Sequence, residues 1–177
     1  MKISDFNLQP DILEDEITKL IPLKEEHFEA LFEAASDPLI WEQHPSKDRY
    51  HREGFTAFFR AAIDSKGSFL ILDKQTNEIM GTTRFYEYNP EKSSVAIGYT
   101  FITRKYWGGP YNKSNKKLLI DYAFQYVDSI FFHVGAENFR SQKAVQKLGA
   151  EKVRDMVLTA NGTDMPYFEY ELKKSDW

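Results

Sequence analysis

The sequence predicts an α/β domain whose mixed sheet is antiparallel at its start and parallel in its middle. Two stretches with helical periodicity come first, and three strands follow that tight turns join as antiparallel neighbours. A strand, a helix and a second strand then succeed one another at the spacing of a parallel crossover. Finally, Asn161-Gly162 separates two extended segments, and this dipeptide is a strong hairpin signal.

The first third of the chain contains a short strand and two helices. The strand covers 16–20 and is closed by Pro22. Apolar residues at helical spacing predict a helix over 25–35, and a similar stripe predicts a second helix that Gly67 ends. The segment 39–50 between them has no period, so we expect an ordered loop there. The stripe of the second helix comprises Phe55, Phe58, Phe59, Ala62 and Ile63.

The rest of the chain supplies the sheet and its crossover. Antiparallel strands are predicted at 69–72, 79–88 and 95–102. A helix over 112–127 then leads to the apolar strand 130–134. A last helix and a hairpin follow, at 140–148, 152–160 and 164–172. No repeat or linker divides these elements, so a single domain over 1–177 is expected.

Composition and charge exclude several classes of protein. The 177 residues are 42% hydrophobic and 28% charged, which is a globular balance. With 23 basic and 27 acidic residues the formal net charge is −4, so nucleic-acid binding is not expected. No apolar run approaches the roughly 18 residues of a membrane span, and the acidic N-terminus lacks the apolar segment of a signal peptide. The absence of cysteine fits a reducing, cytoplasmic setting, and no histidine and carboxylate have metal-ligand spacing, so no metal is expected.

The clearest functional signal is the segment 103–117, which contains five basic residues and no acidic one. These cations gather at the start of a predicted helix, where the helix dipole disfavours them unless an anion is bound there. Gly108 and Gly109 lack a Cβ, so their amides can approach an anion closely. A solvated basic turn is the alternative, and neither the P-loop pattern nor the dinucleotide-binding glycine pattern is present. The cations are Arg104, Lys105, Lys113, Lys116 and Lys117.

Four further stretches are informative together: Ala96-Ile97-Gly98-Tyr99, Tyr106-Trp107-Gly108-Gly109, Asn138-Phe139-Arg140-Ser141 with Lys147-Leu148-Gly149-Ala150, and the ending Tyr170 to Trp177. In this order and spacing they resemble motifs of the GNAT superfamily of acetyl-CoA-dependent N-acetyltransferases, most of all its RimJ/RimL-type branch. The resemblance implies a GNAT-like acyl-CoA N-acyltransferase fold and an acetyl-CoA co-substrate. Four positions depart from the family pattern: Lys105 stands where glutamine or arginine is usual, Pro110 lacks an amide, Ala96 replaces a carboxylate and Val145 replaces a frequent tyrosine.

The resemblance implies that acetyl-CoA lies in a cleft where the fourth and fifth strands of the family fold splay apart. Backbone groups of Phe101, Ile102 and Thr103 would pair with the pantetheine arm like an added strand. Amides of the glycine loop and the following helix would hold the pyrophosphate, and Asn138 would bind the arm from the other side. The acetyl-CoA-binding residues expected on this basis are Phe101, Ile102, Thr103, Lys105, Trp107, Gly108, Gly109, Tyr111, Asn112, Lys113, Asn138 and Ser141.

Acetyl transfer from a thioester to an amine needs a base, a donor for the tetrahedral oxyanion and an acid for the thiolate. The resemblance implies that an amide near Ile102 is the donor and that Ser141 is the acid. Ser141 can equally be a capping or first-turn residue of its helix. Glu87 and His44 are the candidate bases, and His133, at the end of its strand, can face either the core or the cleft. For Glu87 and His44, an exposed glutamate and a loop histidine held by the backbone are the ordinary alternatives.

The resemblance therefore implies an N-acetyltransferase of primary amines, either protein N-termini or small molecules. The alternatives are a non-catalytic CoA-binding or regulatory domain, and an RNA-binding module that uses 103–117, against which the net charge of −4 argues. We expect a monomer or a homodimer without a membrane partner. Aromatic candidates for the acceptor cleft are Trp41, Tyr50, Tyr86, Tyr88 and Tyr99. A polyamine acceptor would need clustered carboxylates, for which the candidates are Glu42, Asp48, Glu53 and Glu87.

Overall fold

The computed structural model describes residues 6–160 and 162–177 of the chain. Within these residues, eight strands form one sheet in the spatial order β1-β2-β3-β4-β5-β6-β8-β7. The strands are β1 (Leu13–Glu14), β2 (Thr18–Pro22), β3 (Ser68–Asp73), β4 (Ile79–Asn89), β5 (Ser94–Ile102), β6 (Ser129–Gly135), β7 (Glu151–Ala160) and β8 (Thr163–Lys173). The helices are α1 (Phe28–Ala35), α2 (Arg52–Ser65), α3 (Tyr111–Ala123) and α4 (Phe139–Lys147).

The strands pair as the sequence predicts, antiparallel at the start and parallel in the middle. β1 to β5 are antiparallel neighbours, and β8 lies antiparallel to both β6 and β7. β5 and β6, which α3 connects, form the parallel pair. This pair is short, because it runs only from Ser94 opposite Ser129 to Ala96 opposite Phe131. Beyond it the two strands diverge, although β5 continues to Ile102 and β6 to Gly135.

A β-bulge in β5 accompanies the divergence from β6. Thr82 lies opposite Phe101 and Arg84 lies opposite Gly98, so β5 contains one residue more than β4 between these pairs. Tyr99 lies inside this interval and has a φ of 52°, in the left-handed region. A bulge of this kind bends its strand and increases the local twist, which turns the end of β5 away from β6.

Helices cover the two faces of the sheet, which are here called the α3 face and the α1 face. On the α3 face, Leu119 of α3 and Val145 of α4 pack with strand residues such as Phe85 and Ile97. On the α1 face, the buried phenylalanines of α2 and Leu31 of α1 form a second core over β3. Side chains alternate between the faces along a strand. β6 and β8 therefore present polar side chains on the α1 face, where the candidate site is formed.

The predicted helices and strands are confirmed, with differences at their ends. The helix predicted over 112–127 begins at Tyr111 and ends at Ala123, because the amides of Gln125 and Tyr126 bond three residues back, to Tyr122 and Ala123, as in a 3₁₀ turn. The predicted loop 39–50 contains part of a 3₁₀ turn, Pro38–Trp41. β1 was not predicted, because a strand of two residues has no detectable period.

The C-terminal hairpin and the N-terminal segment add two observations. β7 and β8 pair from Glu151 to Ala160, as predicted, but Asn161 of the predicted Asn161-Gly162 turn lies outside the described residues. Phe6, which precedes every predicted element, packs against Phe85 at a ring separation of 5.5 Å and so joins the core. In the described part of the chain, no helix has the length and apolar character needed to cross a bilayer.

Candidate functional site

The divergence of β5 and β6 opens a cleft that one backbone amide of β5 faces. The Thr103 amide donates to the Met80 carbonyl, so Gly81 and Ile102 form a non-hydrogen-bonded pair. In an antiparallel ladder, the N–H and C=O groups of a residue in a non-hydrogen-bonded pair point away from the paired strand. Ile102 therefore directs its amide into the cleft, whereas Phe101 and Thr103 direct theirs to β4. Of the three residues whose backbone groups were predicted to bind the pantetheine arm, only Ile102 has an amide that faces the cleft.

A concave group of backbone amides lies where the cleft meets the start of α3. The chain leaves β5 through a 3₁₀ turn, Arg104–Tyr106, and enters α3 from Pro110, whose side chain provides no cap. Gly108 has a φ of 73°, which suits glycine and turns the loop back on itself. Several amides here have no hydrogen-bond acceptor among the described residues, namely those of Gly108, Gly109, Tyr111, Asn112 and Lys113. Unpaired amides at a helix N-terminus form an anion site.

The basic side chains of this segment are largely engaged elsewhere. Arg104 forms an ion pair with Asp37, Lys105 with Glu78 at 2.6 Å and Lys117 with Asp121 at 2.5 Å. Lys113 is exposed and has no ion pair with any residue in the described ranges. The positive potential at this helix end therefore comes from backbone dipoles more than from side chains. This arrangement differs from the predicted basic surface and removes most of the support for an RNA-binding module.

Lys116 is the exception, because its side chain turns inward. The residue is 7% exposed, and its ammonium donates to Thr100 Oγ1 of β5 at 2.6 Å. The Thr100 hydroxyl in turn lies 2.8 Å from the Thr83 hydroxyl of β4. Burial lowers the pKa of Lys116 from its ordinary 10.5 to about 7. The sequence predicts Lys116 as one cation of the basic segment 103–117. Its burial could not be predicted, because the position of a residue in a helix does not by itself show whether its side chain is buried.

The buried ammonium predicts a pH-dependent gain in stability for Lys116→Met. The unfolded chain binds more protons than the folded one between pH 7 and 10.5, so wild-type stability rises with pH across that range. Lys116→Met is expected to raise the free energy of unfolding by about 1–3 kcal/mol at pH 7. The gain should shrink at pH 9.5. Urea unfolding at both pH values measures it, with the exposed Lys143→Met as control, and a gain independent of pH would contradict the assignment.

The other wall of the cleft is the start of α4. Asn138 is the N-cap, and its buried Oδ1 accepts from the Ser141 amide at 3.4 Å. Ser141 is thus a first-turn residue rather than the cap, and its hydroxyl has no hydrogen-bond partner among the residues described. Sequence reasoning missed Arg140, whose guanidinium lies 3.8 Å from the centre of the Trp107 ring. Trp107 also donates its indole N–H to the Ile102 carbonyl at 2.7 Å, so this stack bridges the two walls.

The two predicted bases are poorly placed for that role. The Nδ1 of His44 accepts from the Ser46 amide at 2.9 Å. Burial and the nearby Arg49 lower the pKa of His44 to about 3, so the ring is a weak base. Glu87 is an exposed residue of a second β-bulge, with a φ of 51°. Neither residue combines access to the cleft with a partner that would activate it.

Instead, four side chains form a hydrogen-bonded chain across four strands on the α1 face. The Tyr86 hydroxyl lies 2.8 Å from Nδ1 of His133, and Nε2 of His133 lies 2.8 Å from Glu169. Arg154 donates to the same carboxylate at 2.9 Å. The His133 side chain is 6% exposed and that of Glu169 is 13% exposed, so solvent competes little for these bonds. We call the first three of these side chains the Tyr86–His133–Glu169 relay; Arg154 supports its carboxylate.

The electrostatics of the relay fix the direction of its protons. Burial, with Tyr99 and Glu87 nearby, raises the pKa of Tyr86 well above its ordinary value, so its hydroxyl keeps its proton. It donates to His133 Nδ1 in the tautomer whose proton is on Nε2. Burial alone would raise the pKa of Glu169, but hydrogen bonds from Arg154 and His133 outweigh it and lower that pKa. The ionised Glu169 then accepts from His133 Nε2. This order of an oriented hydroxyl, imidazole and carboxylate suits proton removal.

Gly98 explains how Tyr86 reaches the cleft. A Cβ at this position would lie 3.1 Å from both the hydroxyl and Cε1 of Tyr86, so a larger residue would displace that ring. Tyr99 packs against Tyr86 edge to face at 5.0 Å. These two are the predicted cleft aromatics that lie beside the relay. Trp41 is core, with its indole N–H donating to the Ala35 carbonyl, and Tyr88 packs with the core of the α3 face.

Other predicted features remain separate from the cleft. Within the described ranges, no group of three or more histidines and carboxylates could hold a metal ion. The carboxylates considered for a polyamine are all exposed, namely Glu42, Asp48, Glu53 and Glu87. The site is therefore built from backbone amides, the α4 terminus and the relay.

Comparisons with known proteins identify a family and several structures of the same fold. A family model described as an acetyltransferase (GNAT) domain matches residues 18–151. No curated protein matches the sequence. Among solved structures, a GCN5-related N-acetyltransferase from Brucella melitensis is 18% identical, with 98% of this chain and 85% of that chain covered and a TM-score of 0.83.

Two further structures share the fold. A GNAT-family protein from Chromobacterium violaceum ATCC 12472 is 15% identical, with 99% of this chain and 92% of that chain covered and a TM-score of 0.87. The RimJ protein of Mycobacterium smegmatis, solved in complex with CoA-disulfide, is 16% identical, with 95% and 90% covered and a TM-score of 0.71. At these identities the likeness concerns the fold, to which the family match adds the type of activity.

Proposed function

The chain belongs to the GNAT family of N-acetyltransferases, and we propose that it transfers the acetyl group of acetyl-CoA to a primary amine by direct attack. The observation that carries this proposal is the cleft. β5 and β6 stop pairing after Ala96 and Phe131, beside a cluster of unpaired amides at the start of α3. An extended thioester with a pyrophosphate group fits such a cleft, because it needs a strand edge and an anion site next to each other.

The described residues provide contacts suited to acetyl-CoA. The Ile102 amide would bind the pantetheine arm or the thioester oxygen at the edge of β5. The unpaired amides from Gly108 to Lys113 would hold the pyrophosphate. From the α4 side, Asn138 would contact the arm with its Nδ2, because Oδ1 is occupied by the cap. The solved RimJ complex with CoA-disulfide supports this class of ligand.

The relay supplies the base that the mechanism needs. An incoming ammonium would lose its proton to the Tyr86 oxygen while the Tyr86 proton moves to Nδ1 of His133, and Glu169 would stabilise the imidazolium. The neutral amine then forms a bond to the acetyl carbon, and the oxyanion is stabilised by the Ile102 amide. When the carbon–sulfur bond breaks, the Ser141 hydroxyl protonates the thiolate, and the Ser141 oxygen takes up in turn the second proton that the acetylated nitrogen loses. The proton held by His133 returns to solvent after product leaves.

The proposed acceptor is a protein N-terminus or a small-molecule amine. The enzyme itself is proposed to act as a monomer or a homodimer in the cytoplasm. A non-catalytic CoA-binding domain is the alternative. The relay favours the enzyme, because His133 and Glu169 are buried together in a pairing that a binding domain does not need.

A thiol-release assay with acetyl-CoA and a panel of amines tests the proposal. The panel contains amino acids, short peptides with free N-termini, polyamines and aromatic amines. We expect amine-dependent release of CoA with at least one class, and a product heavier by one acetyl group. Thermal stabilisation by acetyl-CoA without release on any amine would support the non-catalytic alternative.

A further inference from the structure

Two arginines on the α1 face lie beside the relay without a carboxylate partner. Arg84 of β4 is 6% exposed, and its Nε donates to Ser68 Oγ at 3.1 Å. Its Nη2 is buried and has no hydrogen-bond partner among the described residues. Arg49, from the loop before α2, is partly buried over the Phe58 ring at 4.5 Å. No ion pair or hydrogen bond joins Arg49 to another residue in the described part of the chain.

Burying guanidinium groups without a carboxylate partner lowers the stability of the fold, so packing alone does not explain these two arginines. A buried polar group without a partner costs stability, and a buried charge costs more. Burial accordingly lowers the pKa of both guanidiniums, that of Arg49 to about 10. The exposed arginines of the described chain are paired with carboxylates, as for Arg52 with Glu29 and Arg60 with Glu25. The half-buried Arg140 instead bonds the Ile40 carbonyl and stacks on Trp107. The unpaired state of Arg84 is therefore a property of this place in the fold.

The position of the pair relates it to the reacting groups. The Arg84 guanidinium lies 3.8 Å from the centre of the Tyr99 ring, and Tyr86 packs against the same ring at 5.0 Å. Tyr86 and Arg84 are two residues apart on β4, so their side chains leave the same face. Arg49 is close enough to Tyr99 and Arg84 for their charges to influence its pKa. The bulge at Tyr99, the relay and the two cations thus share one small region.

We propose that Arg84, assisted by Arg49, binds a carboxylate of the acceptor, so that the substrate is an amino acid or a closely related amine that carries a carboxylate. The inference rests on the proposed function and deepens it. A guanidinium binds a carboxylate through two parallel hydrogen bonds, and Arg84 Nη2 supplies a free donor for this. With the carboxylate held at Arg84, the amine of the same small molecule reaches Tyr86.

The charge of the region disfavours other amines. A polyamine would bring several cations beside two unpaired guanidiniums, and like charges at short range repel. An amine without an acidic group would leave both guanidiniums without a counter-charge. The carboxylates that could attract a polyamine, Glu42 and Glu53 among them, are exposed. Glu169 is already bonded to His133 and Arg154.

Matched acids and amides test the inference with two readouts. The probes are L-amino acids and their carboxamides, with glycine, β-alanine and 4-aminobutyrate as a spacing series. Thermal melting in the presence of CoA measures binding, and CoA release from acetyl-CoA measures turnover. The best acid is expected to exceed its amide in kcat/KM by about 10- to 100-fold, and to raise the melting temperature where the amide does not.

Variants of the arginines locate the effect. Arg84→Met is expected to lower kcat/KM for the best acid by about 10-fold or more and to leave that for its amide within about 3-fold. Arg49→Met should act in the same direction, and it serves if Arg84→Met does not fold. The matched control is Arg60→Met, an exposed arginine of α2, which should leave both values unchanged. Without ligand, Arg84→Met should melt no lower than wild type, because it removes a buried charge that lacks a counter-ion.

The outcomes separate this inference from the proposed function. Acids that stabilise the protein without turnover would support the carboxylate site and count against the enzyme. Amides or polyamines that react as well as or better than acids would leave the enzyme intact and overturn the carboxylate site. Absence of both binding and turnover with every acid would overturn it as well.

Discussion

Replacing His133 with glutamine is expected to lower kcat by about 100- to 10,000-fold with the best acceptor, which is the contribution usual for a positioned base. The imidazole lies between the Tyr86 hydroxyl and the Glu169 carboxylate, at 2.8 Å from each. Glutamine can keep a hydrogen bond to either neighbour but cannot hold the proton that the amine loses. The dissociation constant of acetyl-CoA should stay within about 3-fold of wild type, because His133 lies outside the proposed pyrophosphate site.

The pH dependence distinguishes a base from a structural residue. In the wild type, kcat/KM should fall at low pH, because a general base that already holds a proton cannot accept another, and this limb should be lost or shifted in His133→Gln. Tyr86→Phe should also lower kcat, since it removes the hydroxyl that contacts the amine. His51→Gln, at an exposed histidine, is the matched control. Wild-type kcat with an unchanged pH profile in both relay variants would remove the relay from the mechanism.

Gly109→Glu is expected to raise the dissociation constant of acetyl-CoA by about 100-fold. Charge-assisted hydrogen bonds to a phosphate account for about 1.5–3 kcal/mol each, and a carboxylate among these amides would repel the pyrophosphate as well. The fold should tolerate the change, because a Cβ at Gly109 meets only Cδ2 of Tyr111 at 3.8 Å. Gly108 is unsuitable for this test, since its φ of 73° makes any larger residue strained.

Isothermal titration calorimetry with acetyl-CoA measures the effect of Gly109→Glu. Gln125→Glu adds the same charge at an exposed position beyond the other end of α3 and should bind like wild type. Far-ultraviolet circular dichroism checks that each variant is folded. An affinity for acetyl-CoA equal to that of wild type in folded Gly109→Glu would show that the pyrophosphate does not occupy this loop.

Local patterns in the sequence were sufficient to predict the architecture and the glycine loop before α3. The change from antiparallel strands to a strand–helix–strand unit predicted the parallel pair of β5 and β6, and glycines before a helix predicted the free amides. Such signals are confined to a few neighbouring residues, so periodicity and turn chemistry suffice to read them. The sequence motif includes Gly98, but only the structure shows why a glycine is needed there: it leaves space for the Tyr86 ring.

The proton relay and the buried lysine could not be predicted in the same way. Tyr86, His133 and Glu169 belong to three strands, and their meeting depends on sheet order and on the face that each side chain occupies. A shift of one residue in register would move His133 to the opposite face. The extra residue near Tyr99 causes such a change within β5, and the sequence contains no marker for it. Residue type and position in the chain predict His44 and Glu87 as bases. The hydrogen-bond partners that decide whether a side chain can act as a base are visible only in the structure.

Thermal melting tests whether acetyl-CoA binds in the cleft between β5 and β6 through both its pantetheine arm and its pyrophosphate. Wild-type protein is compared without ligand, with acetyl-CoA and with an equal concentration of ATP, which has phosphates but no pantetheine arm. At about 100 times its dissociation constant, acetyl-CoA should stabilise the fold by about 2.7 kcal/mol, or about 5 °C or more, and ATP should do clearly less. No shift in melting temperature at millimolar acetyl-CoA would contradict binding in this cleft, and an equal shift with ATP would contradict a contribution from the pantetheine arm.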